Sequence, residues 1–399
     1  MITFEKAYQI VMLHLADFGK EEIPLLASVN RILAEKWVAD RDFPPFHRVM
    51  MDGIAIKYND QIKANCTFVI EGIVAAGSPK LSLKNDQNCL EIMTGAILPN
   101  DTNAVIRYED VTIREGIATL HADINPLQNI HQQGQDRRKG DILIQDGKRI
   151  STADIGVGAS IGKSKVKVSK LPQTTIISTG DELVKINESP LPHQIRKSNV
   201  YQISSALEEN NIEAKHLHLN DNRKEIKDFL QSEILSQDLI ILSGGVSKGK
   251  FDFIPIVLEE LGVKKFFHRV SQRPGKPFWF GAHPSGCTIF ALPGNPISSF
   301  MCTQVYLKSW LDRSLGLTNF VQKYAELEED ILFKPDLTYF MEVKLAYDKS
   351  GKIKAIPQKG NGSGDLANLS RAHAFLKLPQ GQNIFNKGEA YPFYQYAAL

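Results

Sequence analysis

The stretch Leu239-Ile240-Ile241-Leu242-Ser243-Gly244-Gly245-Val246-Ser247 decides the fold. Four apolar residues without a polar face, stopped by a Gly-Gly turn, have the pattern of a strand covered on both sides, as in a parallel sheet. Working outward, similar short runs predict strands at Thr174–Ser178, Glu213–Leu219 and Thr288–Leu292. Helical spacing predicts helices at Asn199–Asn210, Arg223–Leu235, Asp252–Leu261 and Ile297–Leu311. Strands alternating with helices imply a doubly wound, mostly parallel α/β domain over residues 171–316.

In such a sheet, ligands bind beyond the carboxyl ends of the strands, where glycine-rich turns expose backbone N–H groups. Three expected strands end in turns of that kind. They are Ser178-Thr179-Gly180-Asp181-Glu182, Ser243-Gly244-Gly245-Val246-Ser247 and Pro293-Gly294-Asn295-Pro296-Ile297-Ser298. Gly244 and Gly249-Lys250 have the spacing of a nucleotide-binding P-loop. Phe251, however, stands where a hydroxyl should hold Mg²⁺, which argues against a Walker-type NTPase. Asp252 opens the next expected helix, and two readings stay open for it: an N-cap, or a metal ligand beside bound phosphate. Arg269, Arg273 and Lys276 surround a proline-stiffened turn whose forked and point cations suit an oxyanion.

The flanks read differently. Phe4, Tyr8, Val11, Met12 and Leu15 fall at helical spacing, and the two prolines at 44 and 45 interrupt the chain near residue 42. Alternating runs such as Thr67-Phe68-Val69-Ile70 predict a β-rich insertion over 42–131. Residues 132–170 are expected to pack back on the first helix, forming with residues 1–41 one split domain. A C-terminal β domain is expected over 317–399, from runs such as Tyr339-Phe340-Met341-Glu342-Val343.

With 399 residues, the chain is long enough for several hydrophobic cores. It is 43% hydrophobic and 23% charged, as in globular proteins. Its 47 basic and 45 acidic residues are interspersed, leaving a net charge of +2 and no basic footprint for nucleic acid. Cys66, Cys89, Cys287 and Cys302 are too scattered for a zinc cluster or a disulfide framework, and are expected as buried thiols. No apolar run approaches the roughly 18 residues of a membrane helix, and the N-terminus lacks the pattern of a signal peptide, so the expectation is a cytoplasmic protein without membrane contact.

Taken together, these segments resemble the molybdopterin molybdenumtransferase family, which includes bacterial MoeA and the E domain of gephyrin. The resemblance runs through Met51-Asp52-Gly53, Ile92-Met93-Thr94-Gly95-Ala96, Gly134-Gln135-Asp136, the three loops above, and Gly362-Ser363, in order along the whole chain. It implies a homodimer whose pterin-nucleotide site on the α/β domain is completed by the partner's insertion. It also implies a reaction: adenylylated molybdopterin and molybdate bind, AMP leaves with help from Mg²⁺, and molybdenum cofactor is formed. On that resemblance Gly244, Gly245 and Ser247 cradle phosphate, while Asp221 and Asp252 hold Mg²⁺ or activate water. Asp181, Glu182, Pro293 and Pro296 line the pocket. Arg269, Arg273, Lys276 and Ser298 receive molybdate or pterin phosphate, with Ser363 nearby in the last domain. Asp52, Thr94 and Asp136 close the site from the partner.

The fold class expected is thus α/β plus β in a multidomain chain: a doubly wound sheet domain, a β-rich insertion, a split helical/β domain and a barrel-like C-terminal β domain. The chain departs from the family at three places. Asn129-Ile130-His131-Gln132-Gln133 lacks the usual basic residues, Arg269 and Arg273 replace lysines, and Met341 stands where arginine is frequent. Arg137, Arg138 and Lys139 are the expected replacements for the lost charge. The neighbouring adenylyltransferase and molybdoenzyme acceptors or chaperones are the partners the family implies. Two rival functions remain: that adenylyltransferase, whose chain is usually a single α/β domain, and a peptide-binding scaffold like the gephyrin E domain.

Overall fold

The computed structural model describes residues 1–246, 252–360, 362 and 364–398. Its chain forms two compact units, one of residues 1–35, 146–155 and 165–399, the other of residues 36–145 and 156–164.

In the larger unit, a six-stranded sheet runs in the order Ala214–Leu219, Thr174–Thr179, Leu239–Ser243, Thr288–Leu292, Trp279–Ala282, Lys264–His268. The first four are parallel and match the expected strands to within a residue. Their apolar runs are continuous because both faces are covered. Ile176, Leu239, Ile241, Phe290 and Leu292 enter one core, whereas Ile177, Ile240, Leu242, Ile289 and Ala291 enter the other. Burying each of these isoleucine, leucine or phenylalanine side chains contributes about 1.5–3 kcal/mol. The last two strands are antiparallel and were not expected, because Lys264-Lys265-Phe266-Phe267-His268 carries two lysines and no clean alternation.

Helices occur at Asn199–Glu208, Arg223–Ser236 and Ile254–Glu260. The single helix expected at Ile297–Leu311 is instead Pro296–Cys302, a π-helical turn at Thr303–Leu307, and Lys308–Ser314. At the junction the Thr303 hydroxyl donates to the Ser299 carbonyl at 2.9 Å, a side-chain bond that competes with the regular ladder. The N-terminal helix, Phe4–Leu13, buries Phe4, Ala7 and Val11 in the α/β core rather than against residues 132–170. The segment after it does reach back, since Lys20–Pro24 pairs with Lys165–Ser169.

The C-terminal strands close on themselves. Thr338–Tyr347, Ile353–Pro357, Lys323–Leu327, Ala390–Gln395 and Ala374–Leu378 pair in that order, and Ala374–Leu378 pairs again with Thr338–Tyr347. The result is a five-stranded barrel filled by residues such as Leu327, Val343 and Phe385. One further strand, Val270–Arg273, follows the last strand of the α/β sheet and pairs in parallel with the barrel strand Thr338–Tyr347.

The smaller unit holds a six-stranded sheet, in the order Ala104–Arg107, Gly53–Ile56, Cys89–Ile92, Thr67–Val74, Ile117–Leu120, Val111–Arg114. At its centre Gly53 is obligatory: a Cβ there would lie 1.8 Å from the Ile106 carbonyl oxygen of the adjacent strand. Gly72 in the same sheet offers a control, since its Cβ would meet only a Leu90 methyl at 3.7 Å. Gly53→Ala should therefore cost about 1–3 kcal/mol or more, seen as a lowered thermal midpoint, while Gly72→Ala should shift it far less. Equal shifts would mean that the close approach at Gly53 relaxes freely.

Candidate functional site

Parallel register sets the level at which four loops leave the α/β sheet. Ser178 stands opposite both His218 and Ser243, and Ser243 stands opposite Leu292. The loops beginning at Gly180, Asn220, Gly244 and Pro293 therefore emerge together at the carboxyl edge. Gly244 makes this approach possible: its φ is +105°, and a Cβ would come within 2.8 Å of the Thr179 carbonyl and hydroxyl oxygens. Asn199 ties two of the loops, its Nδ2 donating to Ser243 Oγ and to the Gly294 carbonyl, each at 2.8 Å.

A cavity of about 280 Å³ opens at this edge. Its lining includes Glu182, Asp221, Gly244, Gly245, Asp252, Pro293 and Pro296 from the expected set. Asp181 sits beside it, its carboxylate accepting from the Asp221 amide at 3.0 Å. Burial first, then the charges of Asp181, Glu182 and Asp252, push the Asp221 carboxyl above its ordinary range. Carboxylates that repel one another in this way suit a hard cation. Among the described residues no group of three or more His, Cys, Asp or Glu is arranged to hold a metal ion. Asp221 and Asp252 could hold Mg²⁺ only with phosphate oxygens and water completing the shell, which is the usual habit of that ion.

Asp252 does not cap a helix. The helix begins at Ile254 with Phe253 at its N-cap and no side-chain capping bond, which leaves Asp252 on the cavity wall. Sequence reasoning missed Arg196, Lys197 and Asn199, which line the same cavity. Burial, and then Lys185, hold the Lys197 ammonium below its ordinary range, the condition of a cation poised for an anion. The polar run Arg196-Lys197-Ser198-Asn199 before the helix was the available signal.

A second cavity, of about 430 Å³, lies where the α/β domain meets the barrel, and Pro277 contributes to both. Arg273, Lys276 and Ser298 line it. The turn carrying the two cations is anchored from below by buried Gln272, whose Nε2 donates to the Gly275 carbonyl at 3.0 Å and whose Oε1 accepts from the Tyr306 hydroxyl at 2.5 Å. Arg269 stands apart and lines neither cavity. Met341 points into the barrel core, and it is the next residue, Glu342, that lines the second cavity. Ser247 and Ser363 lie outside the described residues, as do Lys248, Gly249, Lys250 and Phe251.

The remaining expected residues belong to the smaller unit. Asp52 and Thr94 meet there: the Asp52 carboxylate accepts from the Thr94 amide at 2.6 Å and from its hydroxyl at 2.7 Å. Asp136 is held separately by His131 Nε2 at 2.9 Å, and His131 Nδ1 lies 3.1 Å from Arg48. Arg137, expected to supply charge, bonds to the Asp136 carbonyl at 2.6 Å. Of the four free cysteines Cys89, Cys287 and Cys302 are buried and Cys66 is half-buried. Burial pushes the Cys89 and Cys287 thiols up to about 12.

Three family models match in sequence: the MoeA N-terminal region (domain I and II) over residues 2–162, a probable molybdopterin binding domain over 175–313, and the MoeA C-terminal region (domain IV) over 324–396. The chain is 40% identical to a molybdopterin molybdenumtransferase of Synechocystis, over 99% of this chain and 100% of that one. The chain belongs to the molybdopterin molybdenumtransferase family. A relative of the same name from Staphylococcus epidermidis is 29% identical over 97% of this chain and 94% of its own. The crystal structure of the molybdopterin biosynthesis MoeA protein from Pyrococcus horikoshii superposes with a TM-score of 0.85 at 26% identity, over 99% of this chain and 100% of that one. Such whole-length agreement makes a lone adenylyltransferase domain untenable, and the family is one of enzymes. Among the described residues no helix is long and apolar enough to cross a membrane.

The Asp52–Thr94 contact can be tested directly. The Thr94 amide, followed by its hydroxyl, holds the Asp52 carboxyl below its ordinary range. Thr94→Val removes only the hydroxyl, so the Asp52 titration midpoint should rise yet stay below that of a free aspartate. Carboxyl-carbon NMR across the acid range reads it, and an unmoved midpoint would show that the hydroxyl does not bear on the carboxylate.

Proposed function

We infer that this enzyme inserts molybdenum into molybdopterin in the synthesis of molybdenum cofactor, taking the adenylylated pterin and molybdate as substrates and releasing AMP. One observation carries the reading: an acidic, glycine-walled cavity at the carboxyl edge of the parallel sheet adjoins a cationic cavity through the shared Pro277. Two anions of different chemistry are thereby accommodated side by side. The Gly244-Gly245 turn offers backbone amides to phosphate, and Lys197 adds charge to the same wall. Asp221 and Asp252 would hold Mg²⁺, which when bound neutralises phosphate charge at the anhydride. Glu182 accepts or orients the proton of the attacking water, and Asp181 fixes the Asp221 backbone. Arg273, Lys276 and Ser298 present cationic and hydroxyl donors to the tetrahedral oxyanion.

Asp221→Asn and Asp252→Asn should each lower AMP release by about a hundredfold or more while retaining nucleotide binding. The assay is AMP release from adenylylated molybdopterin with and without molybdate. Wild-type turnover in both variants under limiting Mg²⁺ would remove them from the reaction, and AMP release indifferent to molybdate would sink the coupled insertion.

The enzyme works as a homodimer in this reading, with Asp52, Thr94 and Asp136 of the partner subunit completing each site. Coexpression of Asp52→Ala and Asp252→Ala chains tests it. Random pairing gives mixed dimers in about half of all cases, each with one intact site, so about a quarter of wild-type activity should return. No rescue, with mixed dimers demonstrated and each single variant folded and inactive, would place every site within one chain.

A further inference from the structure

The second cavity contains a group that oxyanion binding alone does not call for. Beside Arg273, Lys276 and Ser298 it is lined by Glu342. The backbone puts it there: Glu342 lies on the barrel strand Thr338–Tyr347, where Tyr339 is in register with Arg273. Met341 and Val343 on either side enter the barrel core, and strand alternation turns residue 342 the other way. Among the described residues Glu342 has no ion pair. Its Oε2 accepts from Asn368 Nδ2 at 2.6 Å, and that amide also reaches the Gln358 carbonyl at 3.3 Å, which fixes it in place. Oε1 has no hydrogen bond among the described residues.

The charged and titratable groups around Glu342 are Arg273, Lys276 and Lys359 on the cavity wall, and Asp365, Tyr339 and Tyr396 packed about it. Lys359 is drawn toward Glu329, 3.8 Å away. Burial pushes the Glu342 carboxyl up; the Asn368 hydrogen bond opposes this and Asp365 adds to it. An ionised carboxylate beside a dianion would repel it, whereas a carboxylic acid offers an O–H to an oxyanion that carries no proton of its own.

We propose that Glu342 makes oxyanion capture proton-linked: its protonated carboxyl donates a hydrogen bond to bound molybdate, so that one proton is taken up for each dianion bound. No covalent bond forms or breaks in this step, and solvent supplies the proton. The inference rests on the reading that this cavity takes molybdate. Its consequence is selectivity through pH, with capture weakening as pH rises through the carboxyl's titration.

The test is molybdate titration of the purified full-length protein by calorimetry. Across two pH units above the ordinary glutamate range of about 4.3, wild-type affinity should fall by up to about tenfold per unit once the carboxyl ionises. Glu342→Gln, which keeps an N–H donor at every pH, should show a flat profile. Parallel slopes in both proteins would overturn the proposal. Wild-type protein in two buffers of different ionisation enthalpy gives a second measurement that needs no variant. Uptake of up to one proton per molybdate, rising with pH, is expected, and none at any pH overturns the proposal. Arg273→Ala separates the two ideas: unchanged molybdate affinity would place the anion elsewhere and defeat the reading of the cavity itself, whereas weakened affinity with pH-independent wild-type binding defeats only the role of Glu342.

Discussion

The site depends on two successive strands that belong to different sheets. Lys264–His268 ends the α/β sheet, yet after the single residue Arg269 the strand Val270–Arg273 pairs in parallel with a strand of the barrel, Gln272 against Thr338 and Arg273 against Tyr339. Two backbone contacts thus fix the distance between a cationic turn and the barrel wall. Buried Gln272 then braces the turn against the α/β core through Tyr306. Without that bracing, long cationic side chains would have to be ordered by the ligand, at about 1.5–2 kcal/mol of rotamer freedom each.

The parallel strands were legible because burial on both faces writes itself as an uninterrupted apolar run, and the three glycine-rich turns were legible because each follows such a run. What the sequence hid is mostly non-local. Closure of the barrel rests on Ala374–Leu378 pairing twice, and nothing in its alternation names a second partner. Of the two antiparallel strands, the edge strand Lys264–His268 was hidden by its exposed lysines. Asp252 shows a different limit. An aspartate before an apolar helix reads as a cap, and only the helix start at Ile254 shows that the N-cap position falls to Phe253.

Met341 and Glu342 show how fine the missing information can be. The strand places Phe340, Met341 and Val343 in cores and Glu342 at the cavity, and a shift of one residue exchanges the two faces. Sequence reasoning fixed attention on the methionine as a lost charge. The geometry assigns the cavity position to its neighbour, so the wall has a carboxyl group where the resemblance led one to look for a cation.

Both cavities consequently break a rule that governs ordinary surfaces, since each gathers ionisable groups that burial disfavours. In the first, burial and the charges of Asp181, Glu182 and Asp252 work against the ionised form of Asp221, and Arg196 and Lys197 lie on the same wall. In the second, Glu342 shares a cavity with Arg273, Lys276 and Lys359 and, among the described residues, forms an ion pair with none of them. Such conflicts persist where a bound ligand resolves them. On the proposed reading a cation with a phosphate would resolve the first, because carboxylate oxygens and phosphate oxygens together suit a hard cation. On the same reading a dianion would resolve the second, because it would pair the cations and give a carboxyl proton an acceptor. On the proposed reading the two adjoining cavities therefore take ligands of complementary charge, a cation with a phosphate in one and a dianion in the other.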